Sequence, residues 1–475
     1  MNNLNNLLNI LKKGKNKVLY KIDNNVVTYK EAYNKVLVLS KNLNKQDNTP
    51  VILYGHKSID EFISILACIV AKRCYIPIDK YTPKKRIEEI IKKTKSTLLI
   101  KNENINISNI ESLTIEELNN KYKYKRKTIP TNNKNAYIIF TSGSTGDSKG
   151  VPISYTNLNH FINWVTKLKE FYNCSNLNIL SEASFSFDLS VMDIYFSIYK
   201  NNTIVALKSS NNKSLKKIYK TIKQENINFL IMTPTFIKML LLDKEFNDKN
   251  YQDIKYMFFC GELLEVETAK RIKERFPKVK IINAYGPTEA TCFISLIEIK
   301  NNMLNNDYLP VGKITTGAVK IQIENKEIIL KGKSVFNGYL DIITPNSYKE
   351  KNTNCYKTGD IGEIKNNNLY CLGRIDNQIK YQGYRIELED IENNLLKIKG
   401  IREAIAIAKY KDKTNVVKLI KAFVVLDNDL KVEEIKKQLS KLIPNYMVPK
   451  QIKIIDKIPV NNNGKYDRKK LINLW

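Results

Sequence analysis

Phe140-Thr141-Ser142-Gly143-Ser144-Thr145-Gly146-Asp147-Ser148-Lys149-Gly150 is the stretch on which the reading of this chain turns. The apolar run before it, 136–140, reads as a buried strand that stops at a loop of glycines and hydroxyls closed by a lysine. Glycines let backbone N–H groups come close to a ligand, Ser and Thr hydroxyls donate, and Lys149 supplies charge. That composition suits a polyphosphate. The residue five after Gly143 is Ser148, so the G-x-x-x-x-G-K-[ST] spacing of P-loop nucleotide hydrolases is not met. A plain surface turn is the bland alternative, weakened by the length of the run.

Outward from the loop, apolar runs alternate with helical patterns. Residues 51–54, 75–78, 137–140, 229–232, 256–259 and 279–282 are strand candidates. Leu158, Phe161, Ile162, Val165 and Leu168 keep helical spacing behind Thr156, an expected N-cap. Alternation of this kind predicts an α/β architecture with much parallel sheet. From about Asp376 the rhythm changes to two helical stripes, Leu388–Ile391–Leu395–Ile398 and Ile435–Leu439–Leu442–Ile443, around strands at 404–408 and 422–426. We expect a large unit at 1–375 and a small α+β unit at 376–475, which suits a chain of 475 residues.

Composition narrows the function. Hydrophobic content of 43% with 27% charged residues describes a globular protein with ample core. No stretch resembles a signal peptide or reaches the length of a membrane span, and the seven cysteines are scattered without a C-x-x-C pair. A reducing cytoplasm is the expectation. The net charge of +30 raises nucleic acid as a partner. The lysines are spread along the whole chain, however, and no nucleic-acid motif accompanies them, so nucleic-acid binding is disfavoured. Only two histidines exist, His56 and His160, and neither lies in the clusters below, which leaves little for a histidine-activated nucleophile.

Four further clusters carry chemistry. Asn283-Ala284-Tyr285-Gly286-Pro287-Thr288-Glu289 offers a ring for a base to stack on and a carboxylate to hold Mg²⁺. Lys357-Thr358-Gly359-Asp360 places an acceptor pair suited to ribose hydroxyls. Gly373-Arg374-Ile375-Asp376 adds a guanidinium, and Asn463-Gly464-Lys465-Tyr466-Asp467-Arg468 sets one lysine on a glycine turn.

In this serial order the motifs resemble those of the adenylate-forming superfamily, over nearly the whole chain. The resemblance implies ATP and Mg²⁺ as cofactors. It assigns Thr141, Ser142, Gly143, Ser144, Thr145, Gly146 and Lys149 to the β- and γ-phosphates, and Asn283 to Thr288 to adenine and the α-phosphate. It gives Asp360 and Arg374 to the ribose, Glu289 to the metal, and Lys465 to the reacting carboxylate and phosphate. It also implies a hinge at Asp376, about which the small unit rotates so that Gly383-Tyr384-Arg385 replaces Lys465 at the site. Phe187-Asp188-Leu189 is similar to the amino-acid-activating branch, in which an aspartate meets the substrate ammonium. A buried carboxylate otherwise lacks a partner, although Asp188 could instead cap a helix at Leu189.

Segments 184–195, 228–236 and 258–262 are most similar to the D-alanine–D-alanyl carrier protein ligase family. In that family the position of Cys260 lines the side-chain pocket, although a buried thiol also packs simply as a small hydrophobe. Cys292 stands where valine or alanine is expected. The resemblance implies activation of a small amino acid, D-alanine, and its transfer to an acidic, phosphopantetheinylated D-alanyl carrier protein for teichoic acid, without membrane insertion. An adenylating enzyme for glycine, L-alanine or L-serine is the alternative.

Overall fold

The computed structural model describes residues 4–123, 133–143, 148–208, 214–411, 415–459, 466 and 468–473. Two mixed sheets dominate the first part. One orders its strands Glu111–Leu113, Leu98–Lys101, Val51–Gly55, Tyr75–Asp79, Asn135–Thr141 and Lys149–Ser154. The other runs Ser295–Glu298, Lys280–Tyr285, Tyr256–Phe259, Phe229–Met232, Asn178–Ser181, Thr203–Ala206, Val18–Ile22 and Asn25–Thr28. Parallel pairing dominates both, with antiparallel strands at their edges. The central strands are apolar on both faces, as buried parallel strands must be: Val51–Gly55 and Phe229–Met232 are buried at every residue. Helices such as Ile59–Val70 fill the space between them, its N-terminus capped by Ser58.

Helix Tyr155–Val165 forms as its spacing requires, but Ser154 is the cap, not Thr156. Its hydroxyl accepts from Asn157 N and the Asn157 side chain returns the bond. A third sheet, built on the long strand Thr353–Lys365, is wholly antiparallel and was not anticipated. That long strand alternates buried and half-buried residues over much of its length, the signature of a strand covered on one face.

Beyond Asp376 come the hairpin Gln378–Tyr381 with Tyr384–Glu387, helices Leu388–Leu396 and Val432–Leu439, and a sheet of Ile401–Tyr410, Val417–Leu426 and Gln451–Ile454. These elements close around their own apolar cluster, from Ile379 to Ile452. Among the described residues no helix is long and apolar enough to cross a membrane.

Candidate active site

Parallel sheets collect loops at the carboxyl ends of their strands, and ligands bind in the crevice there. Thr141, Ser181, Met232, Phe259 and Tyr285 are all such strand ends. The glycine loop joins two antiparallel strands, Thr141 pairing with Lys149. No helix follows it, which accords with the unmet P-loop spacing. Ser144, Thr145 and Gly146 lie outside the described residues, as does Lys465.

The described ends of that loop are engaged by the hairpin strand Tyr384–Glu387. Ser142 Oγ donates to Arg385 O at 2.9 Å and accepts from Glu387 N at 2.9 Å, and Lys149 Nζ lies 3.8 Å from Glu387 Oε1. Beside them Arg86 ties the two parts of the chain together, donating to Ser148 Oγ at 2.9 Å and to the fully buried Asp390 at 3.1 Å.

Tyr285 and Asp360 meet across a cavity of about 390 Å³ that Gly261, Ala284, Arg374 and Lys380 also line. Tyr285 Oη donates to Asp360 Oδ2 at 2.6 Å, and Arg374 Nη1 donates to Oδ1 at 2.6 Å. Asp360 and Arg374 face each other across adjacent strands. Burial works to raise the Asp360 carboxyl, but Lys380, Arg374 and the Tyr285 hydroxyl hold it below its ordinary value. Lys380 Nζ stands 5.6 Å from the centre of the Tyr285 ring. Asn283 donates to Pro310 O at 2.9 Å and steadies the strand end. Gly286 has no room for a side chain, since a Cβ would lie 2.3 Å from Phe293 Cα. Pro287 leads into the short turn Thr288–Ala290 that carries Glu289. Asp376, at the entry to the hairpin, receives Arg374 through two bonds of 2.6 Å.

Glu289 is fully buried. Arg385 Nη1 reaches its two oxygens at 2.8 and 2.7 Å, and Tyr339 Oη donates at 2.5 Å. Burial alone would raise this carboxyl, yet the Arg385 charge and the Tyr339 bond keep it below its usual range. Arg385 is the cation this carboxylate meets in the structure, and its oxygens are also the hard donors Mg²⁺ prefers.

Asp188 is buried just beneath this group. Its side chain makes no cap bond to the helical turn Leu189–Val191, so the capping alternative is not what the structure holds. Burial pushes its carboxyl up to about 6, opposed by a hydrogen bond with Thr288. Cys260 and Cys292 are buried nearby; burial first, then the Asp188 charge, raises both thiols, Cys260 to about 12. Thr291 and Cys292 both hold left-handed backbone, φ +63° and +71°, and Thr291 is pinned by its bond to Ser334 O at 2.8 Å. Consecutive non-glycine residues in that region are strained, as is common where a pocket wall must be shaped.

Sequence reasoning thus brought most of these residues together, but it missed the clasp of Arg385 on Glu289, the reach of Lys380 into the cavity, and Tyr339. A signal was available for the first two. Residues 378–387 alternate inward and outward along two short strands, which sends Lys380 and Arg385 to the same side.

A fold with crevice loops of this chemistry defines a nucleotide-dependent enzyme, and the comparisons agree. The AMP-binding enzyme model matches residues 10–340 and the AMP-binding enzyme C-terminal domain model matches 390–465. The chain belongs to the AMP-binding enzyme family.

Among its relatives is the D-alanine--D-alanyl carrier protein ligase of Listeria monocytogenes serotype 4b, strain F2365. It is 38% identical over 463 residues, covering 91% of this chain and 90% of that protein. The protein of the same name from Staphylococcus epidermidis is 36% identical, covering 94% of each. Solved structures share the fold. The Vibrio cholerae adenylation domain AlmE, in complex with glycyl-adenosine-5'-phosphate, superposes with a TM-score of 0.84 at 21% identity, covering 98% of this chain and 96% of that one. Holo-PA1221, an NRPS protein containing adenylation and PCP domains, gives 0.83 at 19% identity, covering 98% and 83%.

Proposed function

We propose that the chain activates D-alanine with ATP and passes it to the phosphopantetheine thiol of a carrier protein. The buried Asp188, beside Thr288 and two small thiols, is the observation that carries this reading. A carboxylate that burial still raises to about 6 is costly to ionise, and a substrate ammonium is the cation that relieves that cost. Cys260 and Cys292 are buried beside Asp188, and Cys260 stands at the position that lines the side-chain pocket in the family this chain resembles. Relatives at 36–38% identity bear the corresponding ligase name.

In the first step the alanine carboxylate attacks the α-phosphorus of ATP in line and expels pyrophosphate. Thr141 to Gly146 and Lys149 hold the β- and γ-phosphates, and Asn283 to Thr288 hold adenine and the α-phosphate. Asp360 takes the ribose hydroxyls with Arg374 behind it. Lys465 bridges carboxylate and phosphate as charge develops, a role worth about 10²–10³ in rate. Glu289 is the residue that would hold Mg²⁺, which when bound neutralises phosphate charge.

In the second step the thiol displaces AMP. We read 1–375 and 376–475 as the two units, with Asp376 between them, and the arrangement of Arg385, Glu289 and Ser142 supports the orientation used in transfer. Strand Tyr384–Glu387 engages the groups that would otherwise hold phosphate and metal. The carrier is acidic on this reading, complementary to a net charge of +30. Seven unpaired cysteines and the use of ATP support a cytoplasmic site of action, with D-alanylation of teichoic acid as the destination.

Amino-acid-dependent ATP–pyrophosphate exchange tests the reading, with D-alanine, L-alanine, glycine, D-serine and L-serine in parallel. D-alanine is expected to dominate. A preference for glycine or an L-amino acid would refute the assigned substrate while keeping the chemistry.

A further inference from the structure

His56, absent from every motif, is brought to the crevice by the fold. It follows strand Val51–Gly55, and Asp79 ends the neighbouring parallel strand, Gly55 pairing with Asp79 in register. The imidazole Nδ1 lies 2.7 Å from Asp79 Oδ2, and Ser184 Oγ donates to the same oxygen at 2.6 Å. Tyr81 N donates to the other oxygen at 3.1 Å. An ionised carboxylate only accepts, so Nδ1 carries a hydrogen, and in a neutral imidazole the lone pair is then on Nε2. The His56 side chain is 7% exposed, and its Nε2 is buried with no hydrogen-bond partner among the described residues. Buried polar atoms are nearly always paired, so an orphaned imidazole nitrogen in a crevice calls for an occupant. The arrangement is no nucleophilic triad, because Ser184 bonds the carboxylate and not the imidazole.

Asp79 also acts on the hydroxyls of Tyr384 and Tyr446, whose rings stack 3.6 Å apart. Phe187, next to Asp188, packs 6.4 Å from the Tyr384 ring. The His56–Asp79 pair therefore flanks the seam where the hairpin meets the first unit. The nucleotide cavity at Tyr285 and Asp360 is lined by none of these residues. On the reading above AMP occupies that cavity, which leaves the seam as the approach for an incoming thiol.

Resting on the transfer reaction above, we propose that His56 is the base that receives the proton of the incoming thiol. The S–H bond breaks and its proton passes to Nε2. The thiolate sulfur bonds the acyl carbon, and the acyl C–O bond breaks, AMP leaving with the electron pair. Asp79 keeps the imidazole in the accepting tautomer and balances its charge once protonated. The titratable and charged groups facing this pair are Lys57, the next residue in the chain, Lys80, next to Asp79, and Glu61, whose carboxyl feels Asp79. With them stand Glu182, which acts with Asp79 on Tyr384, Arg86 and Asp390, which act with Asp79 on Tyr446, and the Tyr81 ring 6.0 Å from the imidazole.

The test uses the full chain with His56→Asn and His56→Gln. It compares D-alanine-dependent ATP–pyrophosphate exchange with single-turnover transfer to free pantetheine across pH, with thermal melting as the check on folding. Transfer by His56→Asn is expected to fall on the order of 10²–10³-fold, with exchange retained and the acid limb of the transfer profile gone. A more acidic thiol should recover part of the lost rate. Wild-type transfer with an unchanged pH profile in folded His56→Asn overturns the inference. Equal loss of exchange and transfer in both variants also overturns it, because a packing role moves both. Silence of the wild-type protein in exchange with D-alanine overturns instead the reading on which it rests.

Discussion

Pairing of a substrate ammonium with the buried Asp188, as proposed, predicts that amino-acid recognition depends on pH in a defined direction. Burial pushes it up to about 6 in the empty protein. Only the ionised form pairs with an ammonium, so kcat/KM for the amino acid in pyrophosphate exchange should fall below pH 6. The loss approaches about tenfold per pH unit, since kcat/KM reports the free enzyme. The bound ammonium favours the charged form, so the corresponding limb in kcat shifts to lower pH. Asp193 and Glu182, both pushed to about 7 by burial, titrate in an adjoining range. The decisive control is therefore Asp188→Asn, which should remove the limb. It should also raise KM for the amino acid roughly 10²- to 10⁴-fold, the cost of leaving one member of a buried charge pair alone. KM for ATP should change little. A flat profile from pH 5 to 8, or a wild-type KM in Asp188→Asn, would refute the ammonium-pairing argument.

Three further outcomes follow from the proposed mechanism. Lys465→Ala should cut adenylate formation on the order of 10²–10³-fold while ATP binding survives, and an unimpaired exchange rate removes that role. Asp376→Pro should spare one half-reaction and cripple the other if few residues absorb the rotation. Equal loss of exchange and transfer would count against a hinge there. Gly383, at φ +83°, leaves no space for a methyl, since a Cβ would lie 2.9 Å from Thr233 Cγ2. Gly383→Ala should therefore slow transfer and leave exchange intact, and a transfer rate equal to wild type shows that this contact does not form during turnover.

The legible part of this protein is the part whose physics is local in sequence. The strands at 51–54 and 229–232 were visible because burial on both faces demands unbroken apolar runs, and the glycine loop because a polyphosphate needs backbone N–H groups within reach. Thr156 was misread as a cap because Ser154, two residues earlier, offers the same hydroxyl, and only the reciprocal bond from Asn157 separates them. The antiparallel third sheet was missed for a different reason. Its strands carry turns, lysines and half-buried faces, and their period is weak until partners are known.

Pairings across the chain were beyond reach altogether. Glu289 and Arg385 are 96 positions apart, and Arg86 and Asp390 are 304 apart. Arg86 by itself reads as one more cation among 78, and the resemblance set Arg385 at the site without naming its partner. What singles them out is the burial of their acidic partners, which a sequence does not display. An exposed ion pair contributes little, while a carboxylate removed from water must be met by a cation or change its protonation. Glu289 and Asp188 show the two results of that rule within one crevice. Arg385 bonds the first directly, and it stays below the usual carboxylate range; the second feels Arg385 and Lys380 only through space, and burial pushes it up to about 6. That difference supports the proposed pairing of Asp188 with a substrate ammonium.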